Sequence, residues 1–332
     1  MNHPLLFALV LTILLNSCSQ KKDDVQSTAG DDAFSMTVDE QATSATRDMK
    51  LNVPVGTVYR YKNVQAENLV QDDTMSVSST TTSYYTKTIT ANAGGIISFT
   101  VRYDSIMETQ VGKGMGADNK TISYRSTDSV DKSNPKYATV NSLIGKDVSV
   151  TINERGRIEE ISGLAGIVQS IATASKQALS DTLRMQLAEQ IKQVYYVQLV
   201  TQEHASMPER SLDSTRRWTK SLQQQMPPVF LANSTMTYAI AAVGKRNNQS
   251  VARVDATLNG TIGLINPKIP VTISKGEISG TGKALVDITT GHTLYKTTSI
   301  TQFLTASAEN PQTKKTDSVK QQKKSTLSVT LL

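Results

Sequence analysis

A chain of 332 residues, 38% of them hydrophobic, can bury a substantial core, which excludes a wholly disordered protein. The net charge of +6 comes from basic residues spread along the chain, so it favours a solvated basic face and argues against a nucleic-acid-binding protein. The single cysteine excludes disulfide bonds within the chain.

The N-terminal segment has the layout of an export signal that ends in a lipid-attachment cysteine. Residues 5–15 are almost wholly apolar, but a membrane-spanning helix needs about 20 such residues. Residues 15–17, Leu-Asn-Ser, precede Cys18 and resemble the bacterial lipobox. That resemblance implies removal of residues 1–17, a diacylglyceryl thioether on Cys18 and an acyl group such as palmitate on the new N-terminus. We therefore expect Cys18 to anchor the protein to a membrane, with an ordinary secretory signal as the alternative.

The segment after the cysteine is polar. Residues 18–48 lack an apolar period, which predicts a flexible tether. Residues 21–24, "KKDD", resemble the signal that directs lipoproteins of Bacteroidetes-type bacteria to the outer surface. A triplet similar to the O-glycosylation sequon of those bacteria, Asp followed by Ser or Thr and an aliphatic residue or Met, also recurs along the chain. We expect one or two of its acceptors to be modified: Thr74, Ser105, Ser129, Thr182 and Ser318.

Residues 49–332 are predicted to form a β-rich ectodomain. In "ISFTVRYDSI", Phe99, Val101 and Tyr103 fall on one side and polar residues on the other, and this period of two predicts half-buried antiparallel strands. Similar alternation, interrupted by Gly- and Asn-rich turns, covers residues 49–163 and returns in residues 208–332. The last two strands are expected to form a closing hairpin.

Residues 164–203 differ, because their apolar residues recur at helical spacing. Ser180 interrupts the pattern and is a candidate N-cap, so we predict one long amphipathic helix or two consecutive helices. The order of strands, helix and strands predicts an α+β fold: a strongly curved, half-barrel-like antiparallel sheet with one or two helices packed on one face.

A short pattern occurs twice. The residues Val-Thr-Ile, a later Gly and a final Ile-Ser-Gly occur in this order in residues 150–163 and again in residues 271–280. We interpret each copy as a strand, a glycine turn and a second strand. This repetition indicates an ancient duplication, and a coincidental match is an equal alternative.

Four segments resemble an uncharacterised lipoprotein family of Bacteroidetes-type bacteria. They are "VGTVYRY" (55–61), "VTINERGRIEEISG" (150–163), "PERSLDSTRRW" (208–218) and "GTGKALVDITTG" (280–291). That family tends to have Gly before its Trp, where this chain has Arg216-Arg217. More distantly, the layout is similar to the half-barrel lipoprotein carriers, whose curved sheet and covering helices enclose an apolar cavity. The resemblance implies a lipid-anchored protein of the cell envelope, most simply the outer membrane, and supplies no catalytic residues.

The sequence contains no recognisable catalytic or metal-binding constellation. His204 and His292 lie in different segments, and an acylated Cys18 offers no thiolate, so we expect no metal and no cofactor. The adjacent carboxylates of residues 72–73 and 159–160 point to opposite faces of a strand, which favours solvated pairs over a catalytic dyad. We therefore do not expect an enzyme, with an envelope hydrolase as a minor alternative.

Residues 216–218, Arg-Arg-Trp, admit a cation–π contact or a sugar-stacking platform, but a structural Trp that opens the second β-run is favoured. The favoured function is that of an envelope lipoprotein whose ectodomain binds an apolar ligand or lipid in the concavity between sheet and helix. The alternative is a surface interaction or scaffold component of an envelope complex, which would use exposed sheet edges.

Overall fold

The computed structural model describes residues 31–39, 46–114, 120–176, 179–226, 229–309 and 313–332. Thirteen strands in this part of the chain form one open antiparallel sheet. The strands are β1 (Thr37–Val38), β2 (Val58–Gln71), β3 (Met75–Ala93), β4 (Ile96–Lys113), β5 (Lys120–Arg125), β6 (Asp147–Asn153), β7 (Ile158–Ser162), β8 (Arg217–Met226), β9 (Phe230–Arg246), β10 (Gln249–Leu264), β11 (Thr272–Asp287), β12 (Thr293–Glu309) and β13 (Thr316–Leu331). The predicted α+β class with a curved antiparallel sheet is confirmed.

The two runs of strands meet at the C-terminal strand. The order across the sheet is β1-β9-β10-β11-β12-β13-β2-β3-β4-β6-β7, with β5 on β4 and β8 on β9. Strand β13 pairs with β12 in the predicted closing hairpin and with β2 on its other side. The β-branched residues of these strands suit a sheet with one buried and one solvated face.

The helices are short except for one run beside the sheet. They are α1 (Ser129–Ser133), α2 (Ala138–Leu143), α3 (Ala165–Ala174), α4 (Asp181–Ile191) and α5 (Gln198–His204), with a π-helical segment (Lys192–Val197) that makes α4 and α5 continuous. Ser180 caps α4 as the sequence indicates, because its hydroxyl accepts from the Leu183 N–H at 3.4 Å. Helices α1 and α2 were not predicted, since five or six residues are too few to show a helical period.

The helices pack on one face of the sheet. Ile167 and Leu199 of the helices join Phe99 and Val254 of the strands in one continuous hydrophobic core. The expected concavity between sheet and helix is therefore occupied by core side chains. None of the helices in the described ranges combines the length and the apolar character that a membrane crossing requires.

Strand β12 shows how the two faces of the sheet differ. The Lys296 ammonium donates to the Gln202 carbonyl of α5 at 2.6 Å, so Lys296 faces the helices. Successive side chains of a strand alternate, and Thr297 therefore faces the other way. We call the side of Lys296 the helix face and the side of Thr297 the outer face.

Residues 31–39 lie within the predicted tether, yet they contact the sheet. Thr37 and Val38 pair with β9, and the preceding 3₁₀ turn (Asp31–Phe34) places Phe34 in a buried position. One aromatic residue in a polar segment has no period to reveal it, so the sequence pattern did not indicate this contact.

The repeated pattern does not correspond to a repeated hairpin. The first copy is the β6–β7 hairpin, whereas the second lies inside the continuous strand β11. Gly276 is not a turn residue: a Cβ atom there would lie 2.3 Å from the Ile262 carbonyl oxygen on β10. Close strand approach, and not a turn, requires this glycine.

Candidate functional site

The outer face carries an open hollow of about 490 Å³, within the size range of small-molecule sites. Six adjacent strands contribute to it, from β10 through β11, β12, β13 and β2 to β3. The hollow is thus formed by the middle of the sheet.

Strand register explains the hollow. Residues directly opposite each other in antiparallel strands project from the same face. One row across all six strands consists of short side chains: Thr257, Thr281, Ser299, Thr326, Ala66 and Thr80. The adjoining row consists of Asp255, Lys283, Thr297, Ser328 and Val64. Short side chains over such a width leave space above the backbone, and their methyl and hydroxyl groups make its surface partly apolar and partly polar.

The N-terminal segment forms one wall of the hollow. Phe34 lines it and packs in a small second core with Val251, Leu285 and Tyr295. The ring centroids of Phe34 and Tyr295 are 4.9 Å apart. Arg246 holds the segment from β9 by donating to the Ala33 carbonyl.

Two charged side chains line the hollow, and both lie near this wall. The Lys283 Nζ atom lies 5.8 Å from the centroid of the Phe34 ring. Asp255 lies on the neighbouring strand, where its Oδ1 atom is 3.5 Å from Arg253 Nε. The far end of the hollow, on β2 and β3, is lined by Val64, Ala66 and Thr80.

The helix face contains a different polar site, centred on Glu203 near the end of α5. The carboxylate is 1% exposed and forms an ion pair with Lys87, which is 2% exposed. The hydroxyls of Tyr61 and Tyr85 lie 3.3 and 3.4 Å from its two oxygens. The Tyr61 hydroxyl also bonds to Nε2 of His292, whose ring stacks on Tyr59 with 3.8 Å between centroids. We call this group the Glu203 cluster.

Burial and charge shift the pKa values of this cluster in opposite senses. Burial raises the pKa of Glu203, but the charge and hydrogen bond of Lys87 together with the interactions with His204 and His292 outweigh it, and the net result is a pKa of about 2. Burial lowers the pKa of His204 to about 3 and that of His292 well below its usual value. Burial also raises the pKa of Tyr61 and Tyr85 well above 10. At neutral pH the cluster therefore holds an ionised Glu203 carboxylate and uncharged histidine and tyrosine rings.

The end of α5 is fixed to the sheet by further contacts. The Thr293 hydroxyl donates to the Glu203 carbonyl at 2.8 Å. His204 packs on the β6–β7 turn, where a Cβ atom on Gly156 would lie 2.5 Å from its own Cβ atom. Gly156 also has a φ of +80°, which favours glycine. These contacts leave the helix end little freedom to move relative to the sheet.

The two sites differ in what they can do chemically. The Glu203 cluster is enclosed by protein, so its groups orient the helix and do not contact a solute in this conformation. The hollow is open to solvent and can accept a ligand. No group of three or more His, Cys, Asp or Glu side chains placed to hold a metal occurs among the residues that the structure describes.

The predicted modification residues are scattered. Cys18 lies outside the described residues. Thr74 is exposed in the β2–β3 turn and Ser105 is half-buried in β4. Ser129 and Thr182 are exposed in the first turns of α1 and α4, and Ser318 is exposed on β13. The structure brings none of these described acceptors into the hollow or the Glu203 cluster, and their glycosylation stays a prediction.

His204 and His292, which the sequence places in separate segments, both join the Glu203 cluster. Lys87 was missed, although it occupies an apolar phase of β3 between the buried Tyr85 and Ile89. An inward-facing lysine in an alternating strand is a signal that a buried partner exists.

Trp218 has a structural position near the start of β8. It stacks on Tyr238 of β9 with 5.2 Å between ring centroids, which supports the favoured prediction. Arg216 adopts a φ of +52°, in the left-handed region that glycine prefers. A glycine would therefore suit position 216, two residues before Trp218. The carboxylate pairs lie in an exposed turn (Asp72–Asp73) and on exposed positions of β7 (Glu159–Glu160).

Among solved structures, the chain is similar to one titled "Lipid-protein interactions in lipovitellin" (TM-score 0.44, 12% identity), covering 85% of this chain but only 25% of that one. It also matches an outer membrane channel from Pseudomonas putida F1 (TM-score 0.17, 7% identity), covering 85% of this chain and 97% of that one. The search of curated proteins found no match. The model of a family of unknown function (DUF6263) matches residues 94–293, more than half of the sequence, and the chain belongs to that family.

Proposed function

We propose that this protein is a lipid-anchored, non-enzymatic protein of the cell envelope, and that it binds an apolar or amphiphilic ligand in the outer-face hollow. The hollow of about 490 Å³ is the observation that carries the proposal. The ligand site therefore lies on the opposite side of the sheet from the helices, with the membrane and the ligand as the expected partners.

The lining supports a ligand with a large apolar part. Val64, Ala66 and Phe34 contribute apolar surface, and the threonines add methyl groups. Covering this surface removes apolar area from water, which stabilises a complex by about 25 cal/mol per Å² before the costs of association. The hydroxyl groups can bond to polar atoms of the same ligand.

The proposed anchor is compatible with the position of this hollow. Asp31, where the described chain begins, is thirteen positions after Cys18 in the sequence. Such a segment spans at most about 45 Å when fully extended. Phe34, three residues later, lines the hollow, so a lipidated Cys18 would keep the ligand site within about that distance of the membrane.

A tryptophan placed in the hollow tests ligand binding. Thr257→Trp places a large ring at the β10 end of the row of short side chains. Thr261→Trp is the matched control, because Thr261 lies four residues along β10, on the same face and outside the lining. We expect the neutral fluorescent probe N-phenyl-1-naphthylamine to bind the soluble ectodomain and the Thr261→Trp variant equally. Loss of at least tenfold in affinity is expected in Thr257→Trp, and equal binding by both variants contradicts the site.

The anchor is tested separately on the full chain. Cys18→Ala should abolish incorporation of a labelled fatty acid and release the protein from the membrane fraction. Cys18→Ser is a second variant, since serine keeps the size of the side chain but provides no thiol. Membrane retention and labelling in both variants would contradict the proposed anchor.

The open edge of β8 favours the second candidate function, a scaffold or interaction component. Strand β8 pairs with β9, and the described part of the chain supplies no strand on its other side. Residues 221–225 of β8 are exposed on both faces, so an extended segment of an envelope protein could add a strand there. Leu222→Pro on the edge should abolish recovery of a reproducible partner from membranes, while Thr261→Trp should not. If wild type recovers no reproducible partner, the scaffold function is excluded.

A further inference from the structure

We infer that two copies of this chain associate through the edge strand β8, paired antiparallel about a twofold axis at Leu222, so that their two sheets join into one. The inference does not depend on the ligand site. It rests on the second candidate function, for which it names the partner as a second copy of the chain.

The two edges of the sheet differ in their protection against pairing with another chain. Strand β7, at one edge, has five residues, carries Glu159 and Glu160, and pairs with β6 through a register shift. Short length, charge and irregular pairing are features that keep an edge strand from recruiting a further strand. Strand β8, beyond β9 at the other edge, has ten residues and pairs with β9 without a shift from Arg217 to Met226.

The centre of β8 is open to another strand. Residues 221–225 are exposed, and no charged residue follows Lys220 in this strand. Within the part of the chain that the structure describes, no strand pairs with the side of β8 that points away from β9. The N–H and C=O groups on that side can therefore form a ladder with an added strand.

A second copy can pair with β8 only in certain registers. Opposite residues of an antiparallel pair project from the same face, so the twofold axis is normal to the sheet and passes through one residue. An axis at Leu222 pairs residues 218–226 with the same residues of the other copy, and an axis at Ser221 pairs residues 217–225. These two registers use nine of the ten residues of β8, more than any other axis residue allows.

The side chains favour the axis at Leu222. In that register Trp218 lies opposite Met226 and Leu222 lies opposite its own copy, so apolar side chains meet apolar ones on the helix face. Leu222 is 50% exposed in the single chain and gains a partner in this way. An axis at Ser221 would instead place the Lys220 side chain opposite Leu222. Cross-strand pairs of matching polarity stabilise a sheet more than mismatched pairs.

The polar positions of β8 also accept a second copy. With the axis at Leu222, Lys220 lies opposite Gln224, and the two Lys220 residues are four positions apart along the strands, about 13 Å. On the outer face the hydroxyls of Thr219 and Ser221 lie opposite glutamine amides. A glutamine amide both donates and accepts hydrogen bonds, and no like charges lie opposite each other. The strand is therefore complementary to itself.

Disulfide trapping in membranes that contain the full chain tests the axis. Opposite residues at the axis have Cα atoms about 4.5–5.5 Å apart, which a disulfide can bridge. We expect Leu222→Cys to form a disulfide-linked dimer on mild oxidation with copper phenanthroline. The wild-type chain, whose single cysteine is Cys18, measures the background.

Gln224→Cys is the matched control, because it is exposed on the same face of the same strand. Its two copies would be about 13 Å apart, so it should crosslink at least about tenfold more slowly than Leu222→Cys. Equal rates in the two variants, or no crosslink above background in Leu222→Cys, overturn the inference.

Charge exchange tests the same axis without a covalent bond. Two differently tagged copies of the full chain are co-expressed and recovered through one tag. Leu222→Asp in both copies places two carboxylates opposite each other and should reduce recovery of the second copy at least about tenfold. Gln224→Asp, which lies opposite Lys220, should keep it.

A mixed pair excludes misfolding as the cause of the loss. Leu222→Asp in one copy and Leu222→Lys in the other should restore recovery, because opposite charges then face each other at the axis. Undiminished recovery with Leu222→Asp in both copies, or no restoration in the mixed pair, overturns the inference.

These experiments separate the inference from the proposed functions. If Leu222→Pro abolishes recovery of a different protein while Leu222→Cys forms no dimer, the scaffold function stands and the second-copy inference fails. The ligand site is tested by Thr257→Trp and Thr261→Trp on β10, which leave β8 unchanged. Failure of the ligand site therefore leaves the Leu222→Cys crosslink as expected.

Discussion

Lys296 and Thr297 are consecutive residues of β12, and they represent two ways of using polar side chains. Lys296 is buried on the helix face, and its ammonium donates to the Gln202 carbonyl. Thr297 lines the solvent-exposed hollow on the outer face. The helix face buries charges that have protein partners, whereas the outer face presents short polar groups that are free to meet water or a ligand.

This comparison separates stability from binding. A buried charge that loses its partner is costly, because the desolvated group stays charged or must change its protonation state. A hydroxyl on the outer face loses little when it is replaced, since water was its partner. We therefore expect substitutions in the Glu203 cluster to affect folding and substitutions in the hollow to affect binding.

The largest effect is expected from breaking the buried ion pair. Glu203→Ala leaves the Lys87 ammonium buried without its carboxylate, which should lower the free energy of unfolding by about 3–5 kcal/mol. Urea denaturation followed by circular dichroism measures this. Lys320→Met is the control, because the Lys320–Asp73 pair is exposed and should contribute less than about 1 kcal/mol. Similar losses in the two variants would contradict the distinction.

The second effect is a loss of stability in acid. His204 and His292 have folded pKa values below the ordinary 6.5, so the unfolded chain binds protons first as the pH falls. The free energy of unfolding should therefore decrease below pH 6.5, by up to about 1.4 kcal/mol per pH unit for each histidine. Glu203, with a pKa lowered to about 2, should add a further loss between pH 4.5 and 2.

Thermal or urea unfolding from pH 7 to 4 measures this dependence. The groups that interact with the histidines are Glu203, Lys87, Lys220 and Lys296. His292→Gln keeps a polar group near Tyr61 but cannot take up a proton, so it should reduce the slope between pH 6.5 and 4.5. A wild-type profile that is flat over this range would show that the histidines are not held neutral.

The third effect concerns the turn beneath the helix end. Gly156→Ala adds a methyl group 2.5 Å from His204 Cβ at a φ of +80°, whereas Gly145→Ala has a φ of +72° with nothing within 4 Å. In both variants, holding alanine in this left-handed backbone conformation costs about 1–2 kcal/mol. We expect Gly156→Ala to be less stable than Gly145→Ala by at least about 1 kcal/mol in urea denaturation. Equal losses would mean that His204 is not packed tightly on the turn.

The smallest effects compare one hydroxyl on each face. Thr293→Val removes a buried donor to the Glu203 carbonyl and should cost about 1–2 kcal/mol. Thr281→Val, an exposed residue in the hollow, should stay within about 0.5 kcal/mol of wild type. Melting temperatures of the two variants measure the difference, and a larger loss in Thr281→Val would reverse the comparison.

Part of the fold was predictable because local patterns are strong there. Alternation around Phe99 and Val101 indicated strands, and Ser180 indicated a helix start; both are present. The hairpin assigned to the second copy of the repeat was wrong, because Gly276 serves close strand approach within β11. A glycine in a turn and a glycine required by close strand approach look the same in the sequence, and only the position of the neighbouring strand distinguishes them.

The candidate sites were less accessible from sequence than the strands. Lys87, Glu203 and His292 are far apart in the chain. Glu203 and His292 each resemble an ordinary surface residue, and the inward phase of Lys87 indicates a buried partner without identifying it. Their contacts depend on the pairing of β2 with β3 and on the helix that lies over them. The hollow likewise depends on the register of six strands.

The sequence by itself determined the strand-rich class, the helical segment and the sidedness of individual strands, because these depend on periodicities of a few residues. Only the tertiary structure decided that β13 joins the two runs, that core side chains of the sheet and the helices meet beneath the helices and that the hollow lies on the opposite face. The physical reason is that register and sheet order arise from pairing between distant segments. A single-residue shift in that pairing would move every side chain of a strand to the other face.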